Sequence, residues 1–307
     1  MAMRPRIVVI GSANMDMVVR CERIASPGET VLGGEFVTAS GGKGANQAVA
    51  AARLGAEVVF VGRVGGDPFG EQLLAALAND GILTDHLKRD NHYPTGVALI
   101  CVDAQGQNAI TVAPGANHQV SLDDVLAARE VIAVADAVIL QLEIPMETVS
   151  FAVGLARSLQ TRVILNPAPI SLTKPLSVDL LRQVDVLIPN AHEAANLLDY
   201  PTHEGRDMNA IARALYERSQ AHVVVTLGAD GCLLATETGC QHIAALQVTP
   251  VDTTAAGDCF TGALAVALCE GRSLTEAVGF ATRAAALSVT RFGAQPSLPT
   301  RAELDQN

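Results

Sequence analysis

Short β-branched apolar runs alternate along most of this chain with alanine-rich amphipathic stretches. Residues 7–10, 58–61, 137–142, 162–165, 186–188 and 223–227 are apolar runs bounded by polar or glycine residues, the pattern of parallel strands buried on both faces. Between and after them the spacing predicts helices over 45–54, 68–79, 146–159, 193–198, 208–219 and 258–269. The second is well punctuated: Asp67 suits the N-cap, Pro68 the first turn, and Gly81 lies just past the end. Gly55 similarly closes the helix before it. Strands alternating with helices imply an α/β fold with a mostly parallel central sheet covered by helices on both faces. Residues 15–38 and 96–112 break the rhythm. They are strand-like, rich in Val, Thr and Ile, and read as antiparallel hairpins outside the main sheet, a small β-lid. There is no internal repeat or low-complexity linker, so residues 1–307 read as a single domain carrying that lid. Lys174–Pro175 and 200–205 read as surface loops.

Composition narrows the function classes. Hydrophobic residues make up 49% and charged residues 17%, as in a folded globular protein. With 3% aromatics, no Trp and a net charge of −11, stacking platforms are scarce and the charge opposes nucleic-acid or anionic-membrane surfaces. An acidic chain can still bind ATP through backbone N–H groups, a helix N-terminus and a divalent metal. The apolar run at 7–10 is too short for a signal-peptide core, and no stretch approaches the length of a membrane span. Six cysteines form no C-x-x-C pair, which reads as reduced thiols in the cytoplasm and argues against zinc. The seven histidines show no metal or triad spacing.

Three motifs carry the candidate chemistry. Gly11-Ser12-Ala13-Asn14-Met15-Asp16 follows the first strand without the G-x-G-x-x-G dinucleotide fingerprint. Asn14 and Asp16 alternate along an extended chain at a strand's C-terminal end, where open α/β sheets bind ligands. They equally suit a turn that satisfies local backbone groups. Gly41-Gly42-Lys43-Gly44-Ala45-Asn46 leads into a helix. Its glycines permit close backbone approach, and Lys43 and Asn46 supply donors for hydroxyl groups. Asp252-Thr253-Thr254-Ala255-Ala256-Gly257-Asp258 opens a small-residue helix whose free N–H groups can face an anion. A carboxylate there, Asp258, is suited to accept a hydroxyl proton as the oxygen attacks phosphorus; it would otherwise be a first-turn acid. Glu143, just after a strand, is placed for a ligand carboxylate or is a solvated strand end, Asn190 and Glu193 either cap a helix or reach phosphate and a hydrated metal, and Thr226–Gly231 is a hairpin or a nucleotide-cradling loop.

With Gln141-Leu142-Glu143, Asn166-Pro167-Ala168-Pro169, Thr226-Leu227-Gly228 and Gly293-Ala294-Gln295-Pro296-Ser297, these motifs span Gly11 to Ser297 in an order and spacing that resemble the ribokinase-like (PfkB) family of carbohydrate kinases. The resemblance implies a ribokinase-like fold with a β-lid that closes over the sugar and pairs two subunits as a homodimer. It implies that Asn14, Asp16, Gly42, Lys43, Asn46 and Glu143 hold the sugar, D-ribose, with Asp258 as base and the amides of Ala255, Ala256 and Gly257 as anion hole. ATP would lie along Asn190, Thr226, Gly228, Ala229, Asp230, Gly231, Gly257 and Thr282. Glu193 would place Mg²⁺ through water. K⁺ would sit at Asp252, Thr254, Ser288, Arg291, Gly293 and Ser297, mostly on backbone carbonyls. Two positions depart from the family pattern: Ala255 replaces a favoured glycine, and Thr282 stands where members often present His or Asn near the adenine.

The implied reaction moves the γ-phosphate of ATP to the 5-hydroxyl of ribose. The alternatives are another small sugar, such as 2-deoxyribose or fructose, or a nucleoside, and from a different class a non-catalytic sugar-binding regulator. Asn14 with Asp16 favours vicinal hydroxyls, few aromatics disfavour a nucleoside base, and a sensor has no use for Asp258. A nicotinamide-dependent dehydrogenase lacks its glycine fingerprint.

Overall fold

A computed structural model describes residues 4–170 and 175–306. Its first seven strands are β1 (Arg6–Ile10), β2 (Asn14–Cys21), β3 (Gly33–Gly41), β4 (Glu57–Gly65), β5 (Leu83–Asp90), β6 (Gly96–Val102) and β7 (Asn108–Ala113). Then follow β8 (Ala137–Leu140), β9 (Arg162–Leu165), β10 (Val186–Leu187), β11 (His222–Thr226), β12 (Cys232–Thr236) and β13 (Gly239–Ile243). The α-helices begin with α1 (Lys43–Arg53), α2 (Pro68–Asn79), α3 (Leu122–Ala127), α4 (Arg129–Ala133), α5 (Met146–Ser158) and α6 (Val178–Leu181). They continue with α7 (Ala191–Asn196), α8 (Met208–Ser219), α9 (Ala256–Cys269), α10 (Leu274–Ser288) and α11 (Arg301–Asp305).

Nine strands form the central sheet in the order β13–β12–β11–β10–β9–β8–β1–β4–β5. Its pairs are parallel except β11–β12 and β12–β13. The unbroken apolar run of β1 follows from its place at the middle. Ile7 and Val9 enter one core beneath α1, α9 and α10, while Val8 and Ile10 enter the opposite core beneath α3, α4, α5, α7 and α8. Asp67 caps α2 by accepting from Gly70 N–H at 2.9 Å, and Gly81 follows in the left-handed region at φ 75°.

Three departures from the sequence pattern bear on the site. The run at 137–142 is a strand only to Leu140, because beyond it the chain bends and Leu142 N–H turns to the Ala168 carbonyl at 2.9 Å. That bend delivers Gln141 and Glu143 to the site. α10 is a helix that apolar spacing did not single out; its start is marked locally by the reciprocal Ser273–Glu276 capping box. The turn after β11 does double service: it closes an antiparallel hairpin with β12 and also lines a cavity. Of the two expected surface loops, 200–205 is largely exposed, whereas Lys174 lies outside the described residues.

The second sheet has the order β3–β2–β6–β7. It is two antiparallel hairpins joined by a parallel β2–β6 pair. Only three residues separate β1 from β2, so the sheet springs from the C-terminal edge of the central one. Most of β3 and all of β7 are exposed. α1 and α9 are packed against each other through small residues. A Cβ on Gly262 would lie 2.7 Å from both the Gln47 carbonyl and the Ala50 Cβ, so a larger residue would force the helices apart.

Candidate active site

Close backbone approach builds one half of the site. Gly42 starts α1 at φ 89°, and a Cβ there would meet Asn14 N at 2.7 Å and Ala13 Cα at 2.9 Å. A Cβ on Gly44 would meet Ser12 N at 2.6 Å, and one on Gly41 would strike the Asp16 carboxylate. The three glycines therefore exist to press the start of α1 onto residues 12–16. The contact is sealed by Ala45 N–H to the Ser12 carbonyl at 2.8 Å. Lys43 N–H reaches Glu143 Oε2 at 3.1 Å, and the Ser12 hydroxyl donates to that same oxygen at 2.5 Å.

Asn14 and Asp16 are buried here, not placed in a solvated turn. Asn117 Nδ2 donates to Asn14 Oδ1 at 2.7 Å and Asn117 Oδ1 accepts from Ala13 N–H at 2.9 Å, which fixes Asn14 with no acceptor for its own amide N–H groups among the described residues. Four charges converge. Burial pushes Asp16 up to about 7, and the carboxylates of Glu143 and Asp258 add to this while Lys43 works against it. Burial alone would lower half-buried Lys43, but Asp258, Glu143, Glu193 and Asp16 together outweigh it and hold the ammonium above its ordinary value.

Asp258 closes this cluster from the first turn of α9 and is 6% exposed. Its Oδ2 accepts from Asn46 Nδ2 at 3.0 Å and its Oδ1 from Gln47 Nε2 at 2.9 Å. Ala255 caps the helix in the left-handed region at φ 59°, a conformation that glycine adopts at least cost. Ala256 N–H makes one long bond, 3.3 Å, to Thr253 O. Gly257 is exposed, so α9 presents its N-terminal amides outward.

On the other side of that first turn lies a cavity of about 250 Å³. Thr226, Gly228, Ala229, Gly231, Ala256, Gly257 and Thr282 line it, as do Leu246, Val248, Phe260, Ala286 and Val289. The walls are almost wholly apolar. Gly231 is obligatory, since a Cβ at its φ of 89° would lie 2.1 Å from the Ile243 carbonyl. Asp230 does not line the cavity: it is exposed, and its carbonyl is bonded to His242 Nε2 at 2.7 Å. Thr282 is buried with its hydroxyl donating to Val278 O at 2.9 Å, so it contributes shape and no free donor.

Asn190 and Glu193 cap α7 reciprocally, each side chain bonded to the other's N–H at 2.8 Å. Asn190 also bridges Thr226 at the cavity edge. Glu193 is raised by burial, partly offset by Asn190 N–H and Lys43, with Asp258 adding to the rise. A desolvated carboxylate with one oxygen, Oε2, spent on the cap suits a hydrated divalent cation. For a monovalent cation, Asp252 accepts from Thr254 N–H at 2.9 Å, the Thr254 hydroxyl at 2.7 Å and Gly293 N–H at 2.9 Å. Burial opposes ionisation of Asp252, but those donors and Arg20 hold its carboxyl low. The Ser288 and Ser297 hydroxyls donate to Ala285 O and Ala294 O, both at 2.8 Å. Arg291 spends its guanidinium on Glu303 at 2.7 Å, so only its carbonyl is left for a cation. This all-oxygen donor set fits a hard alkali cation. Among the described residues no three His, Cys, Asp or Glu gather as a metal cluster.

Sequence reasoning missed Ser12, Gln47, Asn117, Gln141 and Asn166. The signal available was a polar side chain inside an otherwise apolar or alanine run, as at Gln47 and Gln141. It also missed the cavity wall from 245 to 250 and, on α10, Ala285 and Ala286 beside the expected Thr282.

The pattern of the pfkB family carbohydrate kinases matches residues 4–301. The chain is 43% identical over 300 residues to a ribokinase of Bacillus subtilis, covering 98% of each. It is 34% identical to a deoxyribokinase of Salmonella typhi, covering 96% of this chain and 95% of that one. The solved structure of Arabidopsis thaliana ribokinase complexed with ribose and ATP superposes with a TM-score of 0.88 at 35% identity, covering 99% of this chain and 98% of that one.

Proposed function

This chain belongs to the pfkB family of carbohydrate kinases, and we propose that it transfers the γ-phosphate of MgATP to the 5-hydroxyl of D-ribose, giving ribose 5-phosphate. One observation carries the reading: the first turn of α9 stands between two unlike compartments. Asp258 faces a buried polar cluster of sugar-hydroxyl partners, while Ala256 and Gly257 line an apolar cavity fit for a nucleotide base. A phosphate group spanning the two must pass over the α9 N-terminus.

In this reading Asn14, Asp16, Gly42, Lys43, Asn46 and Glu143 hold the sugar so that its primary hydroxyl lies at Asp258. Asp258 takes the hydroxyl proton as the oxygen attacks the γ-phosphorus and the bond to ADP breaks. The amides of Ala255, Ala256 and Gly257, with Lys43 nearby, stabilise the charge on the transferring oxygens. Thr226, Gly228, Ala229, Gly231 and Thr282 receive the nucleotide, with Asn190 at its edge. Mg²⁺ carried with ATP near Glu193, and K⁺ on the Asp252, Thr254, Ser288, Arg291, Gly293 and Ser297 loops, would neutralise phosphate charge and steady the anion hole. The reading includes a homodimer formed through β2, β3, β6 and β7, supported by exposed Phe36, Val37, Leu99 and Ile110. A cytoplasmic location is supported by six free cysteines. No described helix is long and apolar enough to cross a membrane.

Two measurements test it. Ribose should exceed 2-deoxyribose in kcat/KM by about 5- to 150-fold, the cost of leaving a buried polar partner unpaired, and fructose should fare worse. If 2-deoxyribose or fructose wins, the assignment to ribose falls. Turnover in KCl should exceed that in NaCl at equal ionic strength; equal rates would overturn the K⁺ assignment.

A further inference from the structure

We infer that Gln47 is a positioning residue that holds the Asp258 carboxylate in its working orientation; the inference rests on the proposed role of Asp258 as base. Gln47 is fully buried on α1. Its Nε2 donates twice, to Asp258 Oδ1 at 2.9 Å and to Asn166 Oδ1 at 3.1 Å. Its Oε1 accepts from Gln141 Nε2 at 2.6 Å. Asn166 is anchored in turn, its Nδ2 donating to the Ile188 carbonyl at 2.7 Å. The chain of bonds thus runs from the ends of β8, β9 and β10 through one glutamine to the first turn of α9.

Its direction is determined by what each group can do. Turning the Gln47 amide over would set Oε1 against two acceptor oxygens, Asp258 Oδ1 and Asn166 Oδ1, and Nε2 against the Gln141 donor. Only one orientation satisfies all three contacts, and in it Gln47 can only donate to Asp258. Asn46, the preceding residue, donates to the other carboxylate oxygen. The two carboxylate oxygens are therefore held by different side chains with different remaining capacity. Asn46 keeps a buried Oδ1 without a partner among the described residues and so has an atom to offer a sugar. Gln47 has both N–H groups and its oxygen engaged within the protein. It has nothing to offer the substrate and acts through Asp258 alone. The close packing of α1 on α9 at Gly262, against the Gln47 carbonyl itself, fixes the distance over which it acts.

A glutamine that merely satisfied buried polar groups would cost stability when removed. A positioning residue costs turnover, and only while Asp258 is present to be positioned. The test is a double-mutant cycle on the full-length enzyme with Gln47→Met and Asp258→Asn, reading kcat, KM for ribose and thermal stability. Gln47→Met should lower kcat about 10- to 100-fold, as for displacement of a reacting group by about 1 Å, with KM for ribose within about 2-fold. In the Asp258→Asn background the same change should alter kcat by less than about 2-fold, because the group it orients is gone. Wild-type kcat in Gln47→Met, a comparable rise in KM, or losses that multiply in the double variant each overturn the inference. Asp258→Asn with wild-type turnover would instead overturn the base assignment. If Gln47→Met does not fold, Gln141→Met decides in the same cycle: it removes only the support on Gln47 Oε1. It should cost about 3- to 10-fold in kcat, and that loss should vanish with Asp258→Asn; an unchanged or additive kcat refutes the proposal.

Discussion

The two compartments flanking α9 recognise their ligands by opposite means. The sugar side gathers Asp16, Lys43, Glu143 and Asp258 with a network of amides, most of them buried. The nucleotide side is walled by small and apolar side chains, and its one buried threonine has its hydroxyl turned to its own helix. Buried charges are expensive in the empty protein and specific toward hydroxyls, because each unmet partner is penalised. An apolar cleft is cheap to maintain and discriminates by shape alone. The phosphates, which need neither, fall to backbone amides at the boundary.

The largest expected effect is at the boundary itself. Asp258→Asn should reduce kcat about 10²- to 10⁴-fold while ribose affinity measured by calorimetry stays near wild type, since the amide still occupies the place between Asn46 and Gln47. Retained turnover would break the comparison at its centre.

Asp16→Asn tests whether the polar side is costly when empty. The unfolded chain loses the Asp16 proton near its ordinary value of 3.8, but the folded protein holds it to about 7. The stability this group contributes is thus fully present below about pH 3.8 and is lost as pH rises to about 7. Asp16→Asn has no such titration. It should be more stable than wild type at pH 8, by at most about 4 kcal/mol for a shift of this size, and melt higher accordingly, with little difference at pH 4. Ribose binding should weaken about 5- to 150-fold. A melting-temperature gap that does not grow with pH would refute the first half, and unchanged ribose affinity the second.

The smallest change is on the apolar side. Ala286→Phe puts a ring into the cavity and should raise KM for ATP about 10-fold, leaving ribose affinity untouched. A variant with wild-type KM for ATP would remove this cavity from the nucleotide site.

Much of the local framework was legible without coordinates. Glycines at 41, 42 and 44, the small-residue start of α9 and the cap at Asp67 are local statements, because a positive φ, a missing Cβ or a first-turn donor leaves its mark on the residue that needs it. Six of the seven parallel strands were legible for a similar reason: burial on both faces demands an unbroken apolar run, which the half-exposed edge strand β5 lacks. Even so, the strand at 137–142 was read two residues too long, since nothing in Gln141 or Leu142 reports that the chain bends.

What local pattern could not supply is pairing at a distance. Gln47 meets Asp258 across 211 residues of sequence, Asn166 across 119 and Gln141 across 94. A glutamine amid alanines looks the same whether it faces solvent or orients a carboxylate. The apolar cavity likewise joins residues of the 245–250 segment, α9 and α10, each unremarkable in its own stretch. Most of the elements, the positions that need glycine and the identity of the charged groups could be read along the chain, because periodicity, φ and charge belong to a residue and its near neighbours. Only the tertiary structure decided which polar atoms are left free for a ligand and which are spent on one another, because that depends on how many partners packing brings to each buried atom.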